Sequence, residues 1–227
     1  LEVPGLEKAY KNAINGFKKN ANPSGGFGYT GRNPTGLSGV GVLCMQLLGA
    51  TREPEVNATL TYLDDITFSF ENWKNKGFDA SPIYYWYYIT QAKFHAGGNR
   101  WSGWNKQFQP ELIKRQVIVK DAITDPEGKK RDIGYWDSPS AGEHGAAGGA
   151  QVTAIRWGRD GKQVTGTSTL GHRVQDTTLC ALQLMVYYRY LPTFKTPEVA
   201  TDADVSITDD EDEVKINIVN VIVFEGC

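Results

Sequence analysis

The chain has 227 residues, which is enough to bury a sizeable core as one large domain or as a domain with an appendage. Its formal net charge of -2 provides no basic footprint for nucleic acid, and no apolar run approaches the roughly 20 residues that cross a bilayer. We therefore expect a soluble domain with no nucleic-acid partner and no membrane-spanning segment.

The start of the chain and its cysteines say little about the compartment. The chain begins with Leu1 instead of Met and carries no visible signal peptide, so we expect a trimmed N-terminus and leave export open. Cys44, Cys180 and Cys227 are odd in number and lack metal-site spacing. Buried thiols are therefore favoured over a disulfide framework.

Three helices are predicted in the first seventy residues. Apolar residues recur at three- and four-residue steps over residues 3–19, which predicts an amphipathic helix. A turn-rich loop with aromatic residues follows at 23–29. Residues 35–48 leave almost no polar face and predict a buried helix, whereas the single apolar stripe of 54–70 predicts a covering helix.

The densest aromatic stretch of the chain is residues 81–104, which we interpret as a buried helix. Ser81 is a good N-cap, and Pro82 suits the first helical position. Gly97 and Gly98 offer the left-handed exit that helices commonly need. Because this helix is apolar nearly all round, we expect the rest of the chain to cover it.

The same order of elements then recurs. Residues 109–120 predict a third covering helix, and 134–137 a third glycine-aromatic loop. The third apolar helix is predicted to begin at an N-cap, Asp176, and to run to residue 191. Helical hairpins in a fixed outer-inner order are typical of repeat proteins, whose units need neighbours to bury their faces.

The third repeat is interrupted by an insertion at 138–172. Its segments 151–157 and 162–167 flank a Gly-Arg-Asp-Gly turn, which indicates either a β-hairpin or a long mobile loop. We place the repeat domain at 1–195 and an acidic tail with short β segments at 196–227. The acidic run in that tail is interpreted as solvated, with calcium binding as the alternative.

The repeats resemble those of the prenyltransferase and squalene-cyclase (terpenoid cyclase) superfamily, and most of all its uncharacterised bacterial members of planctomycete type. The resemblance covers most of residues 1–195. It is carried by residues 26–29 before 35–49, 84–98 with Trp101 and Trp104, Gln116 with 134–136, and 176–191. It implies a mainly α chain, an incomplete α/α toroid of three outer-inner helical hairpins with a small β appendage. The missing hairpins would belong to the remainder of a longer chain.

The catalytic motifs that the resemblance implies are missing. The chain lacks the acidic Asp-x-Asp-Asp cluster of the cyclases and the diphosphate-binding Asp-Asp-x-x-Asp motif. His172, Asp176 and Cys180 have the residue types of the family's zinc site, but a straight helix would spread His172 and Cys180 over about 12 Å. We predict an N-cap aspartate, a core cysteine, no metal and no cofactor.

One loop has residues suited to acid-base chemistry. Glu143 and His144 lie in the glycine-rich insertion, shortly after Asp137. A histidine beside carboxylates can exchange protons near neutral pH or bind a metal. These residues are the catalytic candidates, with a plain surface loop as the alternative.

The aromatic residues of the inner helices either form the core or line a groove for an apolar, sugar or peptide ligand. Our leading hypothesis is a non-catalytic binding or interaction module whose partner is a protein or the remainder of a longer chain. The alternative is a lyase or transferase of the toroid class that uses Asp137, Glu143 and His144. The ligand-binding candidates are Tyr84, Trp86, Tyr87, Trp136 and Tyr187.

Overall fold

A computed structural model describes residues 3–74, 81–140 and 148–186. This part of the chain is mainly helical with two small antiparallel β-hairpins, so the expectation of a mainly α fold with a β appendage is confirmed. Among these residues no helix is both long and apolar enough to cross a membrane. The helices are α1 Leu6–Asn20, α2 Ser38–Leu47, α3 Pro54–Asp64, α4 Pro82–Ala96, α5 Gly98–Arg115 and α6 Leu170–Leu184. The strands are β1 Val117–Thr124, β2 Lys130–Tyr135, β3 Gln151–Trp157 and β4 Gln163–Thr169.

Helix α4 lies at the centre of the core. It begins at Pro82 and ends at Ala96, where Gly97 adopts a φ of 65°, so the predicted start and the end signal at Gly97 are confirmed. The interpretation of the whole stretch 81–104 as one helix is wrong. Ile83 and Trp86 of α4 are at most 2% exposed. Helices α2, α5 and α6 all pack against it. The second part of the aromatic stretch, with Trp101 and Trp104, belongs to α5.

Glycines let α2 approach α4 closely. A Cβ added at Gly39 would lie 2.9 Å from the backbone nitrogen of Ile89, and the amide of Gln46 donates to the Ala92 carbonyl at 3.0 Å. Successive contacts therefore advance in the same direction along both helices, and α2 and α4 run parallel. Only a residue without a side chain fits so close to a neighbouring backbone.

A buried chain of hydrogen bonds ties three helices together. The indole N–H of Trp104 in α5 donates to the Thr90 hydroxyl in α4 at 2.9 Å. That hydroxyl donates to the side-chain carbonyl of Gln183 in α6 at 3.1 Å. The three side chains are at most 1% exposed. Because buried polar groups are costly when unpaired, these two hydrogen bonds fix the relative register of the three helices.

Burial follows the predicted outer-inner order only in part. Leu43 and Trp86 of the expected inner helices are buried, and Leu6 of α1 is 41% exposed. However, Leu60 and Leu112 of the expected outer helices are at most 5% exposed, and Leu182 is only half-buried. The expected outer helices α3 and α5 thus contribute to the same core as α2 and α4.

The third predicted helix ends earlier than expected. α3 stops at Asp64, and the segment after it has no regular secondary structure, with Ile66, Phe68 and Phe70 buried in alternation. The backbone N–H groups of Phe68 and Phe70 donate to Gln107 and Glu111 of α5 at 3.2 and 3.1 Å. The apolar residues of this region fit both the spacing of a helix and a spacing of two. After residue 64, the buried residues follow the spacing of two.

The predicted covering helix at 109–120 has wrong bounds. α5 runs from Gly98 to Arg115, and β1 begins at Val117. The β-branched residues from Val117 to Val119 pair with 133–135 of β2, as β-branched residues favour strands. Residues 134 and 135 are consequently part of a strand and not of a glycine-aromatic loop.

Helix α6 begins six residues before the predicted start. Its N-cap is Thr169, whose hydroxyl accepts the backbone N–H of His172 at 3.3 Å. Asp176 therefore lies inside the helix, and its assignment as the N-cap is wrong. The buried stripe of α6 contains Asp176, Cys180 and Gln183. The end of the predicted helix, at 187–191, lies outside the described residues.

The predicted hairpin in the insertion is confirmed. β3 and β4 pair in an unbroken antiparallel register from Gln151 opposite Thr169 to Trp157 opposite Gln163. The turn between them includes Gly161, which has a φ of 74°. The acidic tail at 196–227 lies outside the described residues.

Candidate functional site

The catalytic candidate Asp137 is bound in an ion pair. Asp137 is 3% exposed. Its carboxylate accepts hydrogen bonds from both Nε and Nη2 of Arg173, at 2.8 and 3.0 Å. It also accepts the backbone N–H of Ile155 at 2.8 Å. Burial lowers the pKa of Arg173, but the hydrogen bond to Asp137, together with the electrostatic interactions with Asp137 and Tyr135, raises the pKa overall. Asp137 thus joins β3 to α6. Glu143 and His144 lie outside the described residues.

Asp176 also has a structural partner. Its buried carboxylate accepts the backbone N–H of Ser138 at 3.0 Å. Nδ1 of His172 lies 3.1 Å from the Thr169 hydroxyl. Over residues 3–74, 81–140 and 148–186, no three His, Cys, Asp or Glu side chains are grouped to hold a metal. The expectation that the chain binds no metal stays a prediction.

Two ligand-binding candidates are core side chains. Trp86 is 2% exposed, and its ring centroid lies 4.2 Å from that of Phe68. Trp136 is 3% exposed and donates its indole N–H to the Leu112 carbonyl at 2.8 Å. As a correction to the predicted groove, these rings have almost no surface to offer a ligand. Packing inside the core decides their position.

The tyrosine candidates lie at the edge of α4. Tyr84 and Tyr87 are half-buried and contact Tyr88 edge to face, with ring centroids 5.0 and 4.9 Å away. Burial, followed by the hydrogen bond with Tyr84, raises the pKa of Tyr88 to about 12. We call Tyr84, Tyr87 and Tyr88 the tyrosine face. The fifth candidate, Tyr187, lies outside the described residues.

A concave site is present elsewhere, between the segment after Phe70 and the β3–β4 turn. It is a cleft of about 240 Å³, which we call the tryptophan cleft. Its lining combines two indole rings with an amide, a carboxylate and two cations. These residues are Glu71, Asn72, Trp73, Lys74, Trp157, Gly158 and Arg159.

A buried arginine packs against the Trp157 ring. The Arg115 guanidinium lies 4.4 Å from the Trp157 ring centroid and is 2% exposed. Its Nε donates to Glu111 at 3.0 Å, and its Nη2 donates to Glu71. Stacking and two carboxylates therefore hold this cation in place, and the half-buried Trp157 lines the cleft.

The opposite side and the rim are more exposed. The Lys74 ammonium lies 5.3 Å from the centroid of the half-buried Trp73 ring. Arg159 extends from the β3–β4 turn and is exposed. That turn lies close to Glu71, because a Cβ added at Gly161 would be 3.2 Å from its carboxylate. The cleft is thus aromatic on its walls and cationic at its rim.

The tryptophan cleft was missed by the sequence-based predictions. Those predictions placed the ligand-binding rings on the apolar helices and, with Trp136, in the loop at 134–137. A usable signal was present in Asn72-Trp73-Lys74 and Trp157-Gly158-Arg159, because each tryptophan is followed within two residues by a cation. That both turns meet is a long-range property of the fold.

Comparison with family models, with curated proteins and with solved structures gives no match to this chain. The resemblance to the toroid-repeat superfamily therefore stays a prediction. Function has to be inferred from the chain's own geometry.

Proposed function

We propose that this chain is a non-catalytic binding module that holds a small polar ligand in the tryptophan cleft. The observation that carries the proposal is the concave pairing of Trp73 and Trp157 with polar and charged groups. Ligand sites are typically concave, with aromatic walls and a few polar groups that fix orientation. Since pockets for drug-sized ligands measure about 300–1,000 Å³, a cleft of about 240 Å³ suits a ligand of roughly one ring.

The enzymatic alternative receives less support from the described residues. It requires Asp137 to exchange protons with Glu143, His144 or a substrate. Instead, both oxygens of Asp137 accept hydrogen bonds, and its charge is balanced by Arg173. This carboxylate is buried and already paired, so it offers little access to a substrate. A lyase or transferase that uses this loop remains the alternative proposal.

We expect removal of the Trp73 ring to weaken ligand binding by about tenfold or more, because aromatic side chains in pockets are frequent hot spots. Saturation-transfer NMR against monosaccharides, nucleosides and amino acids would identify a bound class, and titration would compare Trp73→Ala with the wild type. Tyr29→Ala is the matched control, since Tyr29 is 77% exposed and does not line the cleft. Binding that survives Trp73→Ala unchanged, or no binding to any class, contradicts the proposal.

The tyrosine face is a second candidate surface, for a peptide or protein partner. It is favoured by the edge-to-face cluster of Tyr84, Tyr87 and Tyr88, whose rings keep part of their surface accessible. Tyrosines are enriched at interfaces because they combine apolar area with a hydroxyl.

For the fold we propose an incomplete α/α toroid. The parallel course of α2 and α4, joined through the partly covering α3, supports this proposal. In such a ring the exposed apolar stripe of α1, with Leu6 and Tyr10, would pack on a neighbouring hairpin. We expect a structure that extends beyond the described residues to place a further helical hairpin there; a different element on this stripe would refute the toroid.

A further inference from the structure

We propose that the ligand of the tryptophan cleft is an acidic saccharide, a sugar ring that carries one carboxylate. This inference rests on the proposed binding function and specifies its ligand class. It follows from three properties of the cleft, namely its aromatic wall, its hydroxyl-binding groups and the charge at its rim.

The aromatic wall suits a sugar ring. The face of an indole is electron-rich and attracts groups with partial positive charge, including the C–H groups of a pyranose. Arg115 packs against Trp157, and Lys74 lies near Trp73, so each indole already has one cation next to it. A nucleotide would need more room than about 240 Å³.

The polar lining suits hydroxyl groups. Asn72 can donate and accept hydrogen bonds, and the Glu71 carboxylate has acceptor sites besides the one that Arg115 uses. A sugar hydroxyl both donates and accepts, so it matches this mixed set. An aliphatic or purely aromatic ligand would offer no hydrogen bonds to these polar groups, at a cost in binding free energy.

The charge at the rim selects an anion. Lys74 and Arg159 are exposed. The nearby Asp160 pairs with Lys162 at 3.3 Å, and within residues 3–74, 81–140 and 148–186 no carboxylate pairs with Lys74 or Arg159. Counting the buried Arg115 with Glu71 and Glu111, the cluster has three cations and two carboxylates. It therefore attracts one negative charge, in a protein whose formal net charge is -2.

Titration calorimetry on the full chain, with D-glucuronate, D-glucose and acetate as probes, tests this inference. We expect glucuronate to bind about tenfold more tightly than glucose and to weaken as salt is added, because its carboxylate meets exposed cations. The double variant Lys74→Gln/Arg159→Gln should lose about tenfold in glucuronate affinity while its binding of glucose changes little. Both side chains are exposed, so we expect an unchanged melting temperature.

Lys162→Gln is the matched control, because Lys162 is a cation of the same turn that pairs with Asp160 and does not line the cleft. It should bind glucuronate like the wild type. Equal affinities for glucose and glucuronate would overturn the acidic ligand and leave the binding module intact. Acetate binding as tightly as glucuronate would indicate an anion site without sugar recognition, and overturns the inference. No binding of any probe also overturns it, whereas the wider NMR screen still decides the proposed function.

Discussion

Asp137→Ala is expected to lower the free energy of unfolding by about 3–5 kcal/mol, the usual effect of removing one partner from a buried ion pair. The Arg173 side chain is 17% exposed and would keep its charge without the carboxylate that balances it. The backbone N–H of Ile155 would lose its acceptor as well. Because Asp137 joins β3 to α6, both the insertion and the last described helix would be loosened.

Urea unfolding followed by circular dichroism measures this loss. The matched control is Asp160→Ala, which removes a carboxylate whose ion pair with Lys162 has side chains 58% and 82% exposed. We expect a change within about 0.5 kcal/mol for this control, since exposed pairs contribute little. Similar effects of the two substitutions would show that the Asp137 pair does not support the fold.

Trp104→Ala should also destabilise the protein by about 3–5 kcal/mol, as expected for a fully buried tryptophan. The ring is 1% exposed and packs against Phe68, with a centroid separation of 5.7 Å. Its loss leaves a large cavity and removes the indole donor to the buried Thr90 hydroxyl. Two mechanisms of destabilisation therefore act at one position.

Trp101→Ala is the control for this second experiment. Trp101 lies one turn earlier on the same helix and is only half-buried, so we expect a clearly smaller loss. Chemical denaturation should give an unchanged slope for both variants, so that the shift in midpoint reports stability. A loss at Trp101 equal to that at Trp104 would contradict the assigned core.

Local signals in the sequence predicted those elements whose start and end depend on neighbouring residues. Helix α4 follows from Pro82 and Gly97, and the β3–β4 hairpin from alternating residues around a glycine-containing turn. Both are governed by backbone preferences within a few residues. For these elements, periodicity and end signals agree.

The predictions were wrong where a local pattern fitted two structures and a contact with a residue distant in sequence determined which one forms. Phe70 fits a helical stripe, but its backbone N–H bonds to Glu111, and the segment is not helical. Asp176 fits an N-cap, yet its carboxylate accepts the N–H of Ser138 from inside α6. In each case the deciding contact is about forty residues away in sequence. The spacing of apolar residues within one segment cannot predict such a contact.

The candidate site was less predictable than the fold. Trp73 and Trp157 are more than eighty residues apart, and their meeting depends on where the β3–β4 hairpin lies against the segment after Phe70. Conversely, Trp86 and Trp136 have the residue type of a binding site but the burial of a core. Residue type therefore identifies candidate ligand-binding side chains, and their exposure in the fold separates surface sites from core.

A single oxygen of Glu111 connects the core to the cleft. It accepts the backbone N–H of Phe70 at 3.1 Å and Nε of Arg115 at 3.0 Å, and Arg115 stacks on Trp157. The orientation of the Trp157 wall is thus set when the buried segment folds, before any ligand arrives. Side chains ordered in advance lose little further entropy on association. We therefore expect this wall to be preorganised, with the same shape in the free and bound states, while adjustment is confined to the exposed Lys74 and Arg159.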